Sequence, residues 1–242
     1  AALAAFERAA ARFTIAPAEL AARFSGLPAE VTRIGVGAAV PGWVGFADSS
    51  GAAATFTPDG PTPADDTCLL YFTSGTTARP KLVRHTHANQ VYQAWGLRIT
   101  GIAAADQAIL FGLPLFHVGG SLTQGLAILA NGGSVVVLSP NGWRDPRAVR
   151  NVWRLVQRYK PSTFGAVPTV LAAALQVPLA GADVSSLQRA SGGGAAIQVA
   201  VIQAYLGMGL PVLEVYGMTE TASVHCMGYP DLPRTPGAVG RP

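Results

Sequence analysis

At 242 residues, half of them apolar and 12% charged, the chain is long enough to bury a large core and too poor in charge to be disordered. Its 17 Lys and Arg against 13 Asp and Glu leave a net charge of +4, spread without the basic block that nucleic acid requires, though the excess suits a small polyanion. Two cysteines, Cys68 and Cys226, make neither a disulfide framework nor a metal pattern, and no apolar run reaches membrane-spanning length, so a soluble, cytoplasmic protein is expected.

Residues 1–25 are rich in alanine and read as helix, divided by the turn at Ala16 and Pro17. "VTRIGVG" (31–37) reads as a short strand. Residues 41–64, dense in Gly, Pro, Ala, Ser and Thr, read as a linker, which divides the chain into 1–64 and 65–242. Beyond it strands and helices alternate. "CLLYFTS" (68–74) is expected as a buried strand, followed by a Ser/Thr loop and the helix "HANQVYQAWGLR" (87–98). "QAILFGLPLF" (107–116) is a strand, "SLTQGLAILA" (121–130) a helix stopped by Asn131, Gly132 and Gly133, and "SVVVLS" (134–139) a strand by its β-branched content. "DPRAVRNVWRLVQRYK" (145–160) carries the fullest helix signals: Asp145 as cap, Pro146 at the first helical position, Val149, Val152, Trp153 and Val156 on one face, and Pro161 as stop. "STFGAV" (162–167) and "PVLEVYG" (211–217) are strands either side of the helical "QVAVIQAYLG" (198–207). This order predicts an α/β fold, doubly wound, with a mainly parallel sheet and helices on both faces.

Ligands of such sheets sit beyond the carboxyl ends of the strands. The unusual segments all fall there in this reading: the loop after "CLLYF", "LPLFHVGG" (113–120), "SGGGAAI" (191–197) and "VYGMTET" (215–221). In the first, Thr73, Ser74, Thr76 and Thr77 surround Gly75, with Lys81 just beyond. Hydroxyls, free amides and one lysine make a cradle for phosphate oxygens, although the spacing is not that of a Walker loop and a plain Ser/Thr turn accounts for the same residues.

Taken together and in order, "YFTSGTTARPK", "LPLFHVGG", "SGGGAAI", "VYGMTET" and the terminal "PGAVGRP" resemble the adenylate-forming superfamily of acyl-CoA synthetases, adenylation domains and luciferases. Met218 in "VYGMTET" and the "FHVGG" segment are more similar to fatty or aryl acyl-CoA ligases than to peptide-synthetase adenylation domains. Ala78 and Leu82 depart from the glycines common at those places in the family.

The resemblance implies that Thr73, Ser74, Gly75, Thr76, Thr77 and Lys81 hold the outer phosphates of ATP, with Lys81, Thr219 and Glu220 as the catalytic set. It implies that Gly193, Gly194, Ala195 and Ala196 line the adenine face, that Tyr216 stacks on adenine beside Gly217 and Met218, and that Thr219 reaches the α phosphate. Glu220 would hold Mg²⁺, which favours one or two carboxylates with phosphate oxygens. His117 would border the acid pocket, with Gly119 and Gly120 leaving room for the acid; a satisfied, half-buried histidine is the other reading of His117. His85, His87 and His225 read as surface or structural. The implied activity joins a carboxylic acid, a fatty acid first, to CoA at the expense of ATP. Loading of a carrier protein and a non-catalytic nucleotide-binding module are the alternatives. It also implies that the chain is the central part of a larger N-terminal domain, without the C-terminal domain that carries a lysine.

Overall fold

The first strand of the chain stands where alanine content predicts helix. The computed structural model describes residues 6, 8–51, 55, 57, 60–73, 81–228 and 238–240, divided into two units, Ala1–Thr62 and Pro63–Pro242. In the first, β1 (Phe13–Pro17), β2 (Thr32–Val36) and the two-residue β3 (Val44–Gly45) form a parallel sheet in that order. The helix expected over residues 1–25 is therefore corrected over Phe13–Pro17, after which Ala18–Phe24 is a 3₁₀ helix. Thr14 and Ala16 point inward while Phe13 and Ile15 face out, a period of two, and Pro17 disfavours helical backbone at Ala16. The expected linker also holds structure, in β3 and the 3₁₀ turn Phe46–Gly51.

The second unit begins with β4 (Thr67–Thr73) and β5 (Lys81–Thr86), which pair antiparallel as a separate two-stranded ribbon from Thr67↔Thr86 to Thr73↔Lys81. "CLLYFTS" is thus not a buried strand of the parallel sheet. Tyr71 is buried, but Leu70 and Phe72 are 39% and 49% exposed, because alternate side chains of a ribbon cannot share one face. The Ser/Thr loop accordingly joins two antiparallel strands rather than a strand and a helix.

Next come α1 (His87–Ile99), β6 (Ala108–Phe111), a π-helical segment Gly119–Leu126 running into α2 (Ala127–Ala130), and β7 (Ser134–Val137). Then follow α3 (Pro146–Arg150), α4 (Val152–Tyr159), β8 (Thr163–Gly165), α5 (Pro168–Ala174), β9 (Arg189–Gly193), α6 (Val199–Gly207), β10 (Val212–Met218) and β11 (Ser223–Met227). Asp145 caps α3 through the Arg147 amide at 2.9 Å, with Pro146 at the first helical position. The single helix expected over 145–160 is two. At Asn151 the side-chain amide donates to the Arg147 carbonyl at 2.8 Å, a local competition that interrupts helices.

Strands β6 to β11 form one sheet in the order β11–β10–β9–β8–β6–β7, parallel throughout except for β11. Its two faces bury different helices. Leu110 of β6 and Val212 of β10 pack with Trp153, Leu171 and Tyr205 of α4, α5 and α6. Their neighbours Ile109 and Leu213 pack with Leu97 of α1 and Ile128 of α2. The sheet is doubly wound, and its order reverses at β6: the chain steps to β7 on one side, then to β8, β9 and β10 on the other. A crevice outside the carboxyl ends of β6 and β8 is the place such folds give to ligands. No helix among the described residues is long and apolar enough to cross a membrane.

Candidate functional site

Three segments meet at the carboxyl rim of the sheet or against it. The first follows β6. Its turn places His117 on the surface with Nδ1 accepting the Gly119 amide at 3.0 Å. Gly120 is buried, and a β-carbon there would overlap the Pro114 carbonyl. Close backbone packing at the start of the π-helical segment therefore requires Gly120. That segment is wider than an α-helix, with the Ala127 amide bonding to the Leu122 carbonyl five residues back, a geometry often found at functional sites.

The second segment spans the ends of β9 and β10. Parallel pairing sets Gly193 beside Val215, so the exposed Gly194, Ala195 and Ala196 leave β9 at the end of the sheet where β10 carries Tyr216, Gly217 and Met218. The Ile197 amide donates to Glu214 Oε1 at 3.4 Å across the two strands. Tyr216 is 46% exposed and packs edge-on against His225, ring centroids 4.9 Å apart. A flat, half-exposed ring next to small residues suits stacking on a heteroaromatic base.

A β-bulge shapes this end. The β10–β11 register jumps between Tyr216↔Cys226 and Gly217↔Val224, leaving His225 over, and bulges commonly aim side chains at active sites. A β-carbon on Gly217 would overlap the Ser223 carbonyl. Between the strands, Thr219–Thr221 form a 3₁₀ turn, and Ala222 and Ser223 both have positive φ, 55° and 91°. Two consecutive left-handed non-glycine residues hold strained backbone of the kind that functional turns retain. The turn is closed by the Ala222 amide on the Thr219 carbonyl at 3.2 Å and by the Met218 amide on Thr221 Oγ1 at 3.2 Å. It exposes Glu220, which lies with Arg84, Tyr92, Gln93 and His225 on a groove of about 780 Å³ beside α1.

The third segment is the β4–β5 ribbon. Thr73 and Lys81 form its last register pair, with Lys81 exposed; Ser74, Gly75, Thr76 and Thr77 lie outside the described residues. His85, four residues from Lys81 on β5, is not a surface residue. It is 2% exposed, and its Nε2 lies 2.7 Å from the Thr219 carbonyl, joining the ribbon to the Glu220 turn. Tyr71 packs on Val118 and Leu122, and its hydroxyl lies 2.7 Å from Ser121 Oγ, joining the ribbon to the His117 segment. Sequence reasoning allowed His85 a structural place and Tyr71 a buried one but foresaw neither bond. The signal available was "KLVRHT", a strand pattern directly after a turn, which would have put His85 and Tyr71 on one face of a hairpin.

Among the described residues no group of three or more His, Cys, Asp or Glu could hold a metal. Glu220 offers a single carboxylate, a donor set that fits Mg²⁺ only when phosphate oxygens supply the rest.

Residues 5–242 match the profile of the family described as AMP-binding enzyme. The chain belongs to that family. Marinolic acid–CoA ligase of Pseudoalteromonas sp. (strain SANK 73390) is 32% identical over 181 residues, 72% of this chain and 28% of the relative. Feruloyl-CoA synthase of Amycolatopsis sp. is 36% identical over 166 residues, 68% of this chain and 33% of the relative. ATP-bound MatB from Rhodopseudomonas palustris superposes with a TM-score of 0.80 at 26% identity, over 97% of this chain and 45% of that chain. The chain of this AMP-binding family member thus spans about a third of the length of these curated relatives.

Proposed function

We propose that the protein is an AMP-forming acyl-CoA ligase that activates a carboxylic acid, a fatty acid first, and that residues 65–242 form its nucleotide-binding core. The observation that carries this reading is that β9 and β10 end side by side, with Gly193 against Val215, an arrangement in which a base on Tyr216 would lie near the exposed carboxylate of Glu220. Relatives named as CoA ligases and the ATP-bound neighbour support it.

In the first half-reaction a carboxylate oxygen attacks the α phosphorus of ATP, and the bond to the bridging oxygen breaks with its electron pair leaving on pyrophosphate. In the second, the CoA sulfur attacks the acyl carbon, AMP departs with the bonding pair, and the thiol proton passes to water. Neither step asks the protein for a covalent nucleophile; alignment and charge neutralisation suffice. Lys81, with Thr73 and the loop between them, would receive the outer phosphates. Tyr216 and the Gly193–Ala196 edge would hold the base, Thr219 would reach the α phosphate, and His117 with Gly119 would border the acid. Mg²⁺ bound by Glu220 and the phosphates would neutralise charge on the departing pyrophosphate. The site would be cytoplasmic, where ATP and CoA are supplied.

The test is product analysis. The 242-residue chain, alone and within the longest open reading frame that contains it, is incubated with ATP, Mg²⁺, CoA and a panel of fatty, aryl and short-chain acids. AMP and one or more acyl-CoA thioesters are expected from the longer form. Acyl-adenylate without thioester would favour transfer to a carrier protein, and neither product would favour a nucleotide-binding module.

A further inference from the structure

The β4–β5 ribbon reaches both other segments through one pair of buried rings. Tyr71 and His85 lie side by side on its inner face, centroids 4.8 Å apart, and each makes a bond that leaves the ribbon. A backbone carbonyl only accepts, so His85 Nε2 carries the proton that it gives to Thr219. On the other side of the ring Gln90 Nε2 lies 2.7 Å from Nδ1; an amide nitrogen only donates, so Nδ1 accepts and the proton on Nε2 is the one given to Thr219. Gln90 is itself buried, and its Oε1 has no hydrogen-bond partner among the described residues. Ser121 Oγ donates to the His117 carbonyl at 3.1 Å. With that hydrogen spent, the Tyr71 hydroxyl must be the donor in its bond to Ser121.

We propose that Tyr71 and His85 are positioning residues, through which the ribbon carrying Lys81 sets the places of the Glu220 turn and of the His117 segment. The inference rests on the ligase reading of these segments, and neither residue touches the reacting atoms. The geometry is economical: Thr219, whose carbonyl His85 holds, immediately precedes Glu220, and the same carbonyl closes the turn through the Ala222 amide. Lys81 stands at the other end of the same short strand, roughly 13 Å away by strand rise. A strand of this length moves as a unit, so one hydrogen bond fixes the spacing between an outer-phosphate lysine and a metal-side carboxylate. Tyr71 supports the imidazole by ring contact and does the same for the acid side. The ribbon thus adds its own pair of tethers to the bonds that Thr123 and Gln93 make with Ser223 and the Val224 carbonyl.

Two substitutions at His85 separate positioning from packing. In His85→Gln the side-chain amide nitrogen falls where Nε2 stood and still donates to Thr219. In His85→Asn the shorter side chain reaches only toward Gln90. Two readouts are taken for both and for Tyr71→Phe: amide hydrogen exchange at Ala222 with thermal unfolding in the 242-residue chain, and acid-dependent pyrophosphate release in the longest open reading frame that contains it. His85→Asn is expected to speed Ala222 exchange about tenfold without global unfolding. It should lower kcat by roughly 10- to 100-fold, the scale of an ångström-sized misplacement, with KM for the acid little changed. His85→Gln should restore most of both. Tyr71→Phe should lower kcat while leaving Ala222 exchange as in the parent chain. Unchanged exchange in His85→Asn, or equal losses in Gln and Asn with a shared fall in melting temperature, would overturn the proposal. If the parent form releases no pyrophosphate with any acid, the ligase reading fails, and the exchange measurement alone decides whether His85 holds the turn.

Discussion

Replacing Gly217 by alanine adds one carbon at the bulge that links β10 to β11. That carbon would overlap the carbonyl of Ser223, a backbone atom, so no side chain can rotate away to receive it. Ser223 is buried, and its hydroxyl is hydrogen bonded to Thr123, which resists movement from behind. Relief must come from sliding edge strand β11 or from opening the turn at Thr219–Thr221. Overpacking of this kind costs about 1–3 kcal/mol. The local consequence is larger than the global one, because Tyr216, Thr219 and Glu220 all flank the displaced residue. A shift on the order of 1 Å is enough to lower a rate about 100-fold. Gly217→Ala should therefore lower the melting temperature by several degrees and weaken MgATP binding beyond calorimetric detection. A variant that unfolds and binds MgATP like the parent would show that the bulge does not set the site.

Lys81→Ala should weaken MgATP about tenfold and AMP hardly at all, since an exposed lysine on the outer phosphates contributes on the order of 1–2 kcal/mol; equal losses in calorimetry would remove Lys81 from that role. Glu220→Gln keeps size and removes charge, so its nucleotide affinity should lose its dependence on magnesium, and an unchanged dependence would place the metal elsewhere. The side-chain hydrogen bond from Arg147, with that residue's backbone amide, lowers Asp145 to about 2. A carboxylate depressed in the folded state stabilises above its unfolded value of roughly 4 and loses that contribution as pH falls toward about 2. The melting-temperature gap between the parent and Asp145→Asn should shrink across that window, and a constant gap would contradict the assignment.

The parallel sheet was readable because its strands carry their own signals. Runs such as "SVVV" are β-branched, and Asp145 with Pro146 marks a helix start whatever surrounds it. The ribbon was not readable in the same way. "CLLYF" is apolar enough for a buried strand, and only its antiparallel partner decides that Leu70 and Phe72 face outward. Strand β1 was hidden by alanine-rich neighbours, although Pro17 and the alternation around Thr14 were present. Strand β11 follows a turn of positive-φ residues that are not glycine, so no turn chemistry announced it. Among the candidate site residues, Tyr216 and Glu220 follow from the end of the strand expected at "PVLEVYG", whereas Gly193 ends β9, a strand without its own periodic signal. His85 follows from no strand end, since its role depends on Thr219, 134 positions along the chain.

Exchange of labelled pyrophosphate into ATP tests the central claim most directly, because it reports reversible formation of an acyl-adenylate without requiring CoA. The assay uses the longest open reading frame that contains the chain, with Mg²⁺ and each acid of the panel in turn. The account predicts exchange that depends on the acid, needs magnesium, and falls sharply in Glu220→Gln and Gly217→Ala. Exchange absent with every acid while MgATP binds normally would contradict it, leaving a nucleotide-binding rim that activates no carboxylate.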